Sequence, residues 1–517
     1  MTRILLGIDT GGTFTDFVML SEGKISVHKV LSTPHAPEEA ILLGLHDLGL
    51  AGALKNGHCQ IVHGTTVATN ATLQGKGANT VYITNKGLGD VLRIGRQTRD
   101  DLYKLTPPAK QSPLDGVIAL EVDARLTADG SELTPLTEPA IARLVSQLDT
   151  LAPEAVAINL LFSFLDDTHE RRLEAALADR FFVSRSSFVL PEYREYERGI
   201  ATWLNAWLGP LMQRYLANLK DAVTPSTLSV MQSSGLSVSA DVASRRAVNL
   251  LLSGPVGGLR AAQVTTPGEP LMTFDMGGTS TDVALIDGTL TLTGEARIAQ
   301  FPVAIPMADI HTIGAGGGSI AYIDAGGVLH VGPDSAGARP GPACYGVGGT
   351  KPTVTDANLH LGRLRADAFM GGTMQLDSGA AETALRSVAE PTGLSTRELA
   401  EGIVRLANEH MTQALRAISI ERGHDPRDFT LACFGGAGGL HVCALAEALD
   451  IPRALLPNHA GVFSAVGMLV TPPGRELSQT VAAPVMSLSA DTLEARFEQL
   501  CVGGLDELEA EHVSRAD

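Results

Sequence analysis

The 517-residue sequence is poor in aromatic side chains, at 4%, and has no uninterrupted apolar run of eighteen residues. A membrane-spanning helix needs about 20 such residues, so we expect none. Met1 leads directly into an apolar strand and Asp9, without the basic start and cleavage site of a secretory signal. We therefore expect a cytoplasmic protein.

Cysteine and positive charge are also scarce. The five cysteines include no CxxC pair and are odd in number, which fits a reducing compartment better than a disulfide framework. The net charge of −18 excludes a broad basic surface for phosphate backbones, so nucleic acid is not the expected partner.

Several nucleotide and hydrolase motifs are missing. No GxxxxGK followed by Ser or Thr occurs, and no GxGxxG follows the first strand, so a P-loop or a dinucleotide fold is disfavoured. GxSxG and HExxH are absent too, which removes the serine-hydrolase and zincin interpretations. The length and the 44% hydrophobic content predict at least two folded lobes.

The sequence does have 55 glycines, and they cluster in short runs after apolar segments. The segment at 9–16 reads DTGGTFTD and the segment at 275–282 reads DMGGTSTD, with six of eight positions identical. Each lies between two apolar segments, which predicts a β-hairpin whose tip offers backbone N–H groups to a phosphate. Two copies indicate two related lobes that clamp one nucleotide.

Within these repeats, glycine permits close approach of backbone to phosphate, and the threonine hydroxyls add donors. We assign to phosphate binding Gly11, Gly12, Thr13, Thr15, Gly277, Gly278, Thr279 and Thr281.

The aspartates of the repeats have different predicted roles. Asp9 and Asp275 end their strands and could hold Mg²⁺ through water, with the metal bridging the β and γ oxygens. Asp16 and Asp282 either orient a nucleophilic water as catalytic residues or cap the turn, and capping is the simpler role for at least one of them.

A third glycine-rich turn occurs late in the chain, where FGGAGGLH at 434–441 follows an apolar segment. Two phosphate hairpins with such a turn resemble the actin, sugar kinase and Hsp70 superfamily. The resemblance implies an α/β fold with two actin-like, ribonuclease-H-like lobes around a nucleotide cleft. It places adenosine at Gly435, Gly436, Ala437 and Gly438, with ATP and Mg²⁺ as cofactors.

Other motifs narrow the resemblance. They are HGTTVATN at 63–70, PEYREYERG at 191–199, LLSGPVGG at 251–258, HTIGAGGGSI at 311–320 and GPACYG at 341–346. In this order they resemble the hydantoinase A and 5-oxoprolinase family, which includes subunits of acetone and acetophenone carboxylases. The resemblance covers residues 3 to 475.

The resemblance implies an N-terminal lobe at 1–192, a second lobe at 193–475 and a short C-terminal segment at 476–517, where relatives typically continue into a further domain. This chain also departs from the family at Gly439 and Ala460, where relatives usually have proline.

The activity implied is ATP-dependent hydrolysis of a cyclic amide or imide, of the 5-oxoproline or hydantoin type, through phosphorylation of the carbonyl oxygen. The 5-oxoprolinase branch would connect it to glutathione metabolism. A hydantoinase B type partner and a homo- or hetero-oligomer are implied as well. Two alternatives stay open: the ATP-using subunit of a ketone carboxylase, and a non-catalytic nucleotide clamp.

Four further residues are candidates with an alternative beside each. His63 follows a strand end, so it is either catalytic or a histidine hydrogen-bonded within a connector. His311 has the same ambiguity on the substrate side. Arg93 and Arg96 either hold a substrate carboxylate or lie on a solvated face.

The cysteines near glycine turns are predicted to be packing residues. Cys344 in GPACYG could be a nucleophile or a metal ligand, but a lone cysteine in such a place is more often buried. Cys433, His441 and Cys443 match no zinc spacing. A periodic apolar stretch at 196–223 predicts a long helix that connects the lobes.

Overall fold

The computed structural model describes residues 3–33, 35–97, 103–106, 114–372 and 374–513. In chain order the strands are β1 (Ile4–Thr10), β2 (Phe14–Ser21), β3 (Lys24–Leu31), β4 (Cys59–Thr65), β5 (Thr80–Asn85), β6 (Ile118–Val122), β7 (Arg125–Leu126), β8 (Glu132–Thr134), β9 (Ala155–Ile158), β10 (Phe182–Arg185), β11 (Thr227–Met231), β12 (Ser237–Ser239), β13 (Leu271–Met276), β14 (Thr281–Asp287), β15 (Thr289–Leu290), β16 (Leu292–Thr293), β17 (Ala296–Ile298), β18 (Phe301–Val303), β19 (Met307–Ala308), β20 (Ile310–Ile313), β21 (Ser319–Ile323), β22 (Leu329–Ser335), β23 (Thr430–Phe434) and β24 (Arg453–Leu455).

The α-helices are given next, also in chain order. They are α1 (Pro37–Asp47), α2 (Ala51–Lys55), α3 (Val67–Leu73), α4 (Val91–Ile94), α5 (Glu138–Leu151), α6 (Thr168–Leu177), α7 (Ser186–Val189), α8 (Glu195–Val223), α9 (Ala240–Arg245), α10 (Ser253–Thr265), α11 (Val354–His360), α12 (Ser378–Ala389), α13 (Thr396–Ile418), α14 (Val442–Ala448), α15 (Phe463–Val470) and α16 (Ala490–Ala510). In the described ranges no helix is both long and apolar enough to cross a membrane.

The first large sheet has the strand order β12-β11-β4-β1-β2-β3. The strands β1, β2 and β3 are antiparallel neighbours, whereas β4 is parallel to β1 and β11 is parallel to β4. The central strand β1 buries Leu6 and Ile8, as a strand covered on both faces must. Strands β11 and β12 complete this sheet although they lie beyond the boundary predicted at residue 192.

The second large sheet repeats this arrangement. Its order is β15-β14-β13-β23-β24, with β20 also paired to β14. As in the first sheet, a hairpin is followed by parallel strands, here β23 beside β13 and β24 beside β23. Both sheets therefore have the strand order 3-2-1-4-5 of a ribonuclease-H-like core, and the predicted fold class is confirmed.

A smaller parallel sheet is inserted into the first lobe between β4 and β11. Its order is β10-β9-β5-β6. Helices α5 and α6 cover it, and Val81, Ile83, Val156 and Ile158 form its apolar core together with Leu148 of α5. This insertion carries the surface on which Arg93 and Arg96 lie.

The predicted long helix is confirmed as α8, Glu195–Val223. Trp203 and Trp207 stack on one another with ring centroids 5.3 Å apart, and Phe301 of β18 packs 5.7 Å from Trp203. The segment with Phe301 leaves the second sheet after β15 and returns at β20. It therefore connects the second lobe to the helix that supports the first.

Helices α10 and α15 pack closely against each other because glycines lie where the two helices touch. A Cβ atom at Gly257 would lie 2.6 Å from the Ser464 carbonyl oxygen. A Cβ atom at Gly7 of β1 would likewise collide with the backbone of Ala465. The glycines of LLSGPVGG and of the first strand are thus explained by close backbone approach.

Candidate functional site

The two repeated segments form hairpins with the same geometry. Asp9 is paired with Asp16 across β1 and β2, and Asp275 is paired with Asp282 across β13 and β14. The N–H of Gly11 donates to the Phe14 carbonyl at 3.0 Å, and the N–H of Gly277 donates to the Ser280 carbonyl at 3.0 Å. The sequence repeat is therefore a structural repeat, with one copy in each lobe.

The tips of the hairpins face one another. A Cβ atom at Gly278 would lie 3.9 Å from the Thr13 hydroxyl oxygen of the other hairpin. In the described part of the chain, the N–H groups of Gly12, Thr13, Gly278 and Thr279 have no hydrogen-bond acceptor. Four free backbone donors at two facing glycine turns are the arrangement that oxyanions bind.

Between the lobes lies a cleft of about 560 Å³. Both hairpins, the first turn of α10 and several glycine-rich turns line it. The lining includes Asp9, Gly11, Gly12, Thr13, Asp16, Lys29, Gly254, Pro255, Asp275, Gly277, Gly278, Thr279, Asp282, Gly317, Gly318, Tyr345, Phe369, Gly435, Gly436, Ala437 and Ser464.

The predicted adenosine turn follows β23 and lines the cleft through Gly435, Gly436 and Ala437. Gly435 has a φ of +80°, and a Cβ atom there would fall 2.2 Å from Oδ1 of Asp275. Glycine is thus required on two grounds. Gly438 does not line the cleft, because it is buried at the start of a short 3-10 turn against Phe274. The structure therefore gives no support to its predicted contact with the nucleotide.

The four aspartates of the hairpins gather at the cleft floor. Burial raises the pKa of Asp9 well above its ordinary value, and the charges of Asp16 and Asp275 raise it further. Burial, with the charges of Asp282 and Asp16, raises the pKa of Asp275 to about 7. Burial raises the pKa of Asp282 to about 6, although a hydrogen bond from Thr312 opposes the rise. The charge of Lys29 lowers the pKa of Asp9 and of Asp275, but it does not offset the effects of burial and of the neighbouring carboxylates.

The residues present fit a hydrated Mg²⁺ ion. Oδ1 of Asp9 is buried and has no hydrogen-bond partner in the described residues. Carboxylate oxygens are ligands that Mg²⁺ prefers, and it commonly takes only one or two of them and keeps several waters. The described ranges contain no cluster of three or more His, Cys, Asp or Glu that could hold a metal directly.

Lys29 is a cleft residue that the sequence analysis missed. Its Nζ lies 2.5 Å from Oδ1 of Asp16. Burial raises the pKa of Asp16, and the positive charge of Lys29 opposes that rise. Lys29 also donates to the Gly461 carbonyl at 3.4 Å. The feature that identifies Lys29 is its position on β3, in register with Asp16. That register is not visible in the repeated motif itself.

The first turn of α10 is a second feature that was missed. Gly254 and Pro255 line the cleft, and a Cβ atom at Gly254 would lie 3.4 Å from Oδ1 of Asp9. The N-terminus of a helix favours anions through its free N–H groups and dipole. A glycine followed by proline after an apolar run was the available signal, since proline is common in the first turn of a helix.

Thr15 and Thr281 do not reach the cleft, which corrects their assignment to phosphate binding. Both are fully buried. The Thr15 hydroxyl is 3.0 Å from the Ser32 hydroxyl, and the Thr281 hydroxyl donates to the Ala315 carbonyl. Because alternate residues of a strand point to opposite faces, the second threonine of each motif turns into its lobe.

His63 is not brought to the cleft either. Its side chain is fully buried, with Nε2 2.7 Å from the Tyr215 hydroxyl and Nδ1 3.3 Å from the Ile8 carbonyl. Burial lowers its pKa to about 4. This geometry fits the second of the two roles predicted for His63, a histidine hydrogen-bonded within a connector, and gives no support to a catalytic role.

The three weak substrate candidates lie on the surface. Arg93 is 62% exposed and pairs with Asp90 at 2.7 Å. Arg96 is 53% exposed and pairs with Glu197 at 2.6 Å. His311 is an exposed residue of β20, beside Thr312. None of the three lines the cleft, so a role in holding substrate has no structural support here.

Of the cysteine and histidine candidates, Cys344, Cys433 and His441 are buried packing residues, whereas Cys443, which was predicted to be one, is exposed. Cys344 is fully buried, and its own N–H donates to Asp356 at 2.8 Å. Burial raises the pKa of its thiol, which disfavours a nucleophilic thiolate. His441 is buried too, with Nδ1 2.6 Å from the side chain of Asn408.

Comparison with known families gives two matches along the chain. The Hydantoinase/oxoprolinase model matches residues 198–475, and the Hydantoinase/oxoprolinase N-terminal region matches residues 5–181.

Among curated proteins, the chain is 39% identical to caprolactamase subunit alpha of Pseudomonas jessenii, over 90% of this chain and 70% of that protein. It is 33% identical to 5-oxoprolinase 1 of Arabidopsis thaliana, over 89% of this chain but only 41% of that protein.

Two solved structures match nearly the whole chain. The crystal structure of the ATP-dependent caprolactamase from Pseudomonas jessenii superposes with a TM-score of 0.81 and 35% identity, covering 98% of this chain and 76% of that one. Nucleotide-free acetone carboxylase superposes with a TM-score of 0.80 and 26% identity, covering all of this chain and 78% of that one.

Proposed function

Because the chain belongs to the hydantoinase/oxoprolinase family, we propose that it is the ATP-using part of an enzyme that hydrolyses a cyclic amide or imide. The observation that carries the proposal is the pair of facing glycine hairpins, each with two aspartates beside it. A relative is named for lactam hydrolysis and another for 5-oxoproline hydrolysis. The ring we propose is a lactam, 5-oxoproline or a hydantoin.

The nucleotide would lie across the cleft between the lobes. Its phosphates would accept hydrogen bonds from the free N–H groups of Gly12, Thr13, Gly278 and Thr279, and its adenosine would contact Gly435 to Ala437. Placement of phosphates between two separate lobes makes binding depend on closure, which excludes water from the reacting group.

Asp9 and Asp275 are the residues that would hold a hydrated Mg²⁺ ion. When bound, the ion would supply neutralising charge to the β and γ phosphate oxygens. The raised pKa values of these aspartates reflect a buried group of carboxylates that the single charge of Lys29 does not neutralise, which is the electrostatic condition that favours a divalent cation.

The amide carbonyl is a poor electrophile, so the proposed reaction first activates it. The carbonyl oxygen attacks the γ-phosphorus of ATP, the bond to the bridging oxygen breaks, and ADP leaves. Water then adds to the carbon of the phosphorylated imidate. Cleavage of the carbon–nitrogen bond then expels the amine and leaves an acyl phosphate. A second water hydrolyses the acyl phosphate to a carboxylate and inorganic phosphate.

Asp282 is the better placed of the two hairpin aspartates to accept a proton from that water. Asp16 is held by Lys29 at 2.5 Å, whereas the partner of Asp282 is the hydroxyl of Thr312. A carboxyl group with a pKa of about 6 is an efficient base near neutral pH.

A second candidate function has its own support. The superposition on acetone carboxylase, with a TM-score of 0.80, favours the ATP-using subunit of a ketone carboxylase. The phosphorylated species would then be an enol or a carboxyl phosphate in place of an imidate. A hydantoinase B type subunit is the partner that we propose for the amidohydrolase, since one relative is a subunit of a larger enzyme.

Phosphate release from Mg-ATP tests the proposal. The purified chain would be assayed alone and with a hydantoinase B type partner, using caprolactam, 5-oxoproline, hydantoin, or acetone with bicarbonate. Stimulation by one cyclic amide supports amidohydrolysis and identifies the ring. Stimulation that requires bicarbonate favours the carboxylase, and tight ATP binding with no stimulation by any substrate identifies a clamp.

A further inference from the structure

A β-arm extends from the second lobe to the first, and the proposed reaction does not use it. It comprises residues 291–309, between β15 and β20. Two short antiparallel ladders form it, β16 with β19 and β17 with β18. In the described part of the chain, no residue of the β-arm lines the nucleotide cleft. Any role of the β-arm in the reaction must therefore be exerted from outside the cleft.

The β-arm buries one apolar face. Alternate residues from 301 to 307 point the same way, because the side-chain period of a strand is two. These residues are at most 6% exposed, and they are Phe301, Val303, Ile305 and Met307. Together with Ile298, they belong to the same apolar cluster as Leu6 and Ile8 of β1. The β-arm of the second lobe thus contributes five side chains to the core of the first lobe.

Near the tip of the β-arm, Phe301 packs against both tryptophans of α8. Its ring centroid lies 5.7 Å from that of Trp203 and 6.2 Å from that of Trp207. The two indoles stack on each other at 5.3 Å. Aromatic contacts at these distances add a preferred geometry to the burial of apolar surface. The contact therefore fixes the position of the tip on α8.

A backbone hydrogen bond attaches the base of the β-arm to the first lobe as well. The N–H of Ala308 donates to the Ser233 carbonyl at 2.8 Å. Ser233 lies in the loop between β11 and β12, which belong to the first sheet. The β-arm is thus attached to the first lobe at its tip and at its base. Two separate attachments restrict rotation about either one.

Helix α8 also contacts the strand that carries the first phosphate hairpin, through His63. The hydroxyl of Tyr215 on α8 lies 2.7 Å from Nε2 of His63, whose Nδ1 is 3.3 Å from the Ile8 carbonyl oxygen. Ile8 immediately precedes Asp9 on β1. One helix therefore joins the β-arm of the second lobe to the base of the hairpin in the first lobe.

We propose that the β-arm sets the angle between the two lobes and thereby positions the two phosphate hairpins opposite each other, with Phe301 as the positioning residue. Domains that share a large apolar contact are restrained in their relative motion. A small rotation would separate the hairpins, since a Cβ atom at Gly278 would lie only 3.9 Å from the Thr13 hydroxyl oxygen. A preset angle lowers the entropic cost of binding a ligand across both lobes. The effect on ATP rests on the proposed function, whereas the angle itself does not.

Pulsed electron paramagnetic resonance on the spin-labelled full chain tests the angle without nucleotide. The exposed Cys443 and Cys501 are changed to serine, and labels are attached at Leu43→Cys in the first lobe and Leu394→Cys in the second, both exposed positions. We expect a single narrow distance distribution. Phe301→Ala should widen it about twofold, because the truncated side chain leaves a gap at the contact between the lobes.

Two further readouts connect the angle to the site. Phe301→Ala should weaken equilibrium binding of a fluorescent ATP analogue about tenfold, although Phe301 lies outside the cleft. Tryptophan emission locates the change, because Trp203 and Trp207 are the two tryptophans of the sequence and stack at this contact. In Phe301→Ala the emission should shift to longer wavelength as water reaches the indoles.

Two variants are matched controls. Leu148→Ala removes a fully buried side chain from the separate core of the inserted sheet. It should lower the thermal unfolding midpoint without changing the distance distribution or the ATP affinity. Arg297→Ala changes an exposed residue of the β-arm and should alter none of the readouts. If Phe301→Ala does not fold, Phe301→Leu replaces it, with smaller effects expected in the same direction.

The inference is overturned if the Phe301 variant leaves the distance distribution unchanged, or if ATP affinity is unchanged although the distribution has widened. It is also overturned if Leu148→Ala reproduces both effects, since loss of stability would then explain them. A widened distribution in a chain that never binds ATP would refute the proposed function and support the β-arm in setting the angle. Substrate-stimulated ATP turnover with an unchanged distribution in the Phe301 variant would refute this inference alone.

Discussion

The two hairpins share six of eight residues and the same register, yet their aspartates lie in different electrostatic surroundings. In the first lobe, the third strand places Lys29 opposite Asp16. In the second lobe, β20, which pairs with β14, places Thr312 opposite Asp282. The two copies of the motif thus have the same backbone geometry, while the neighbouring strand supplies a different partner to the second aspartate of each copy, Lys29 to Asp16 and Thr312 to Asp282.

Because of this difference, we expect the two hairpins to have different roles in the same cleft. The first hairpin has a local cation, Lys29, which opposes the rise that burial causes in the pKa of Asp16. In the second, the described partner of Asp282 is the hydroxyl of Thr312, and burial raises the pKa of Asp282 to about 6. The first aspartate of each hairpin has a raised pKa in both lobes, to about 7 for Asp275 and well above its ordinary value for Asp9. We infer that the second hairpin handles protons, and that the first positions the nucleotide.

The largest effect is expected from removing the first aspartate of either hairpin, which is Asp9 in the first lobe and Asp275 in the second. Asp9→Asn and Asp275→Asn should each reduce ATP turnover about a hundredfold or more, because each removes a carboxylate that would hold the hydrated cation beside the phosphates. Phosphate release at saturating Mg-ATP measures it. The amide keeps the size of the carboxylate, so thermal unfolding should shift little.

If one of these two variants retains more than a tenth of the activity while the other is inactive, the hairpins do not share the metal. The symmetry of the site would then be geometric only.

The second prediction concerns the glycines beside those aspartates. Gly435→Ala should weaken ATP binding at least tenfold and destabilise the chain by about 1–3 kcal/mol, since the new Cβ would lie 2.2 Å from Oδ1 of Asp275 at a φ of +80°. Equilibrium binding of a fluorescent ATP analogue and chemical denaturation measure the two effects.

Gly436→Ala is the matched control for the stability effect, because a Cβ atom there meets nothing within 4 Å. Near-normal affinity in Gly435→Ala would show that the turn can move away from Asp275, and the adenosine assignment would lose its support.

Much of this arrangement was predictable from sequence. The hairpins, the long helix α8 and the turn after β23 follow from local signals: glycine pairs between apolar segments, and a 3.6-residue period. The facing of the two lobes followed from the repeat itself. These predictions succeeded because short-range chemistry determines each of those elements.

The errors concern side chains whose direction depends on distant strands. Thr15 and Thr281 follow the glycines closely, but the pleat turns them inward. His63 meets its partner Tyr215 from a helix 152 residues later in the chain. Lys29 could be paired with Asp16 only after the register of β3 was known. Such contacts arise from sheet pairing, which the local pattern does not encode.

The third prediction exchanges the partners of the two hairpins. Thr312→Lys should lower the pKa of Asp282 by about one unit, because an opposite charge nearby favours the ionised form. If ionised Asp282 is the base, the acidic limb of the pH–rate profile, expected near pH 6, should move to lower pH. The maximum rate should fall a few-fold, since the base is weaker.

Lys29→Thr is the reciprocal change, and its expected effect is on stability. Without the cation, the pKa of Asp16 in the folded chain rises further above its unfolded value of about 4. The loss, about 1–3 kcal/mol, should be greatest near pH 8, where Asp16 must be charged, and should vanish below pH 4, where both states are protonated. A pH-independent loss would show that Lys29 acts through packing alone.

The smallest effects are expected for the second threonine of each hairpin, because neither hydroxyl faces the cleft. Thr15→Val and Thr281→Val preserve the shape of a buried side chain and remove one hydrogen bond, to Ser32 and to the Ala315 carbonyl respectively. Each should cost about 1 kcal/mol of unfolding free energy. ATP affinity should stay within twofold in both, whereas Thr13→Val and Thr279→Val, at the tips, provide the comparison. A tenfold loss of ATP affinity in Thr15→Val or Thr281→Val would mean that the hairpins rearrange when the nucleotide binds, and that the second threonine is a phosphate ligand after all.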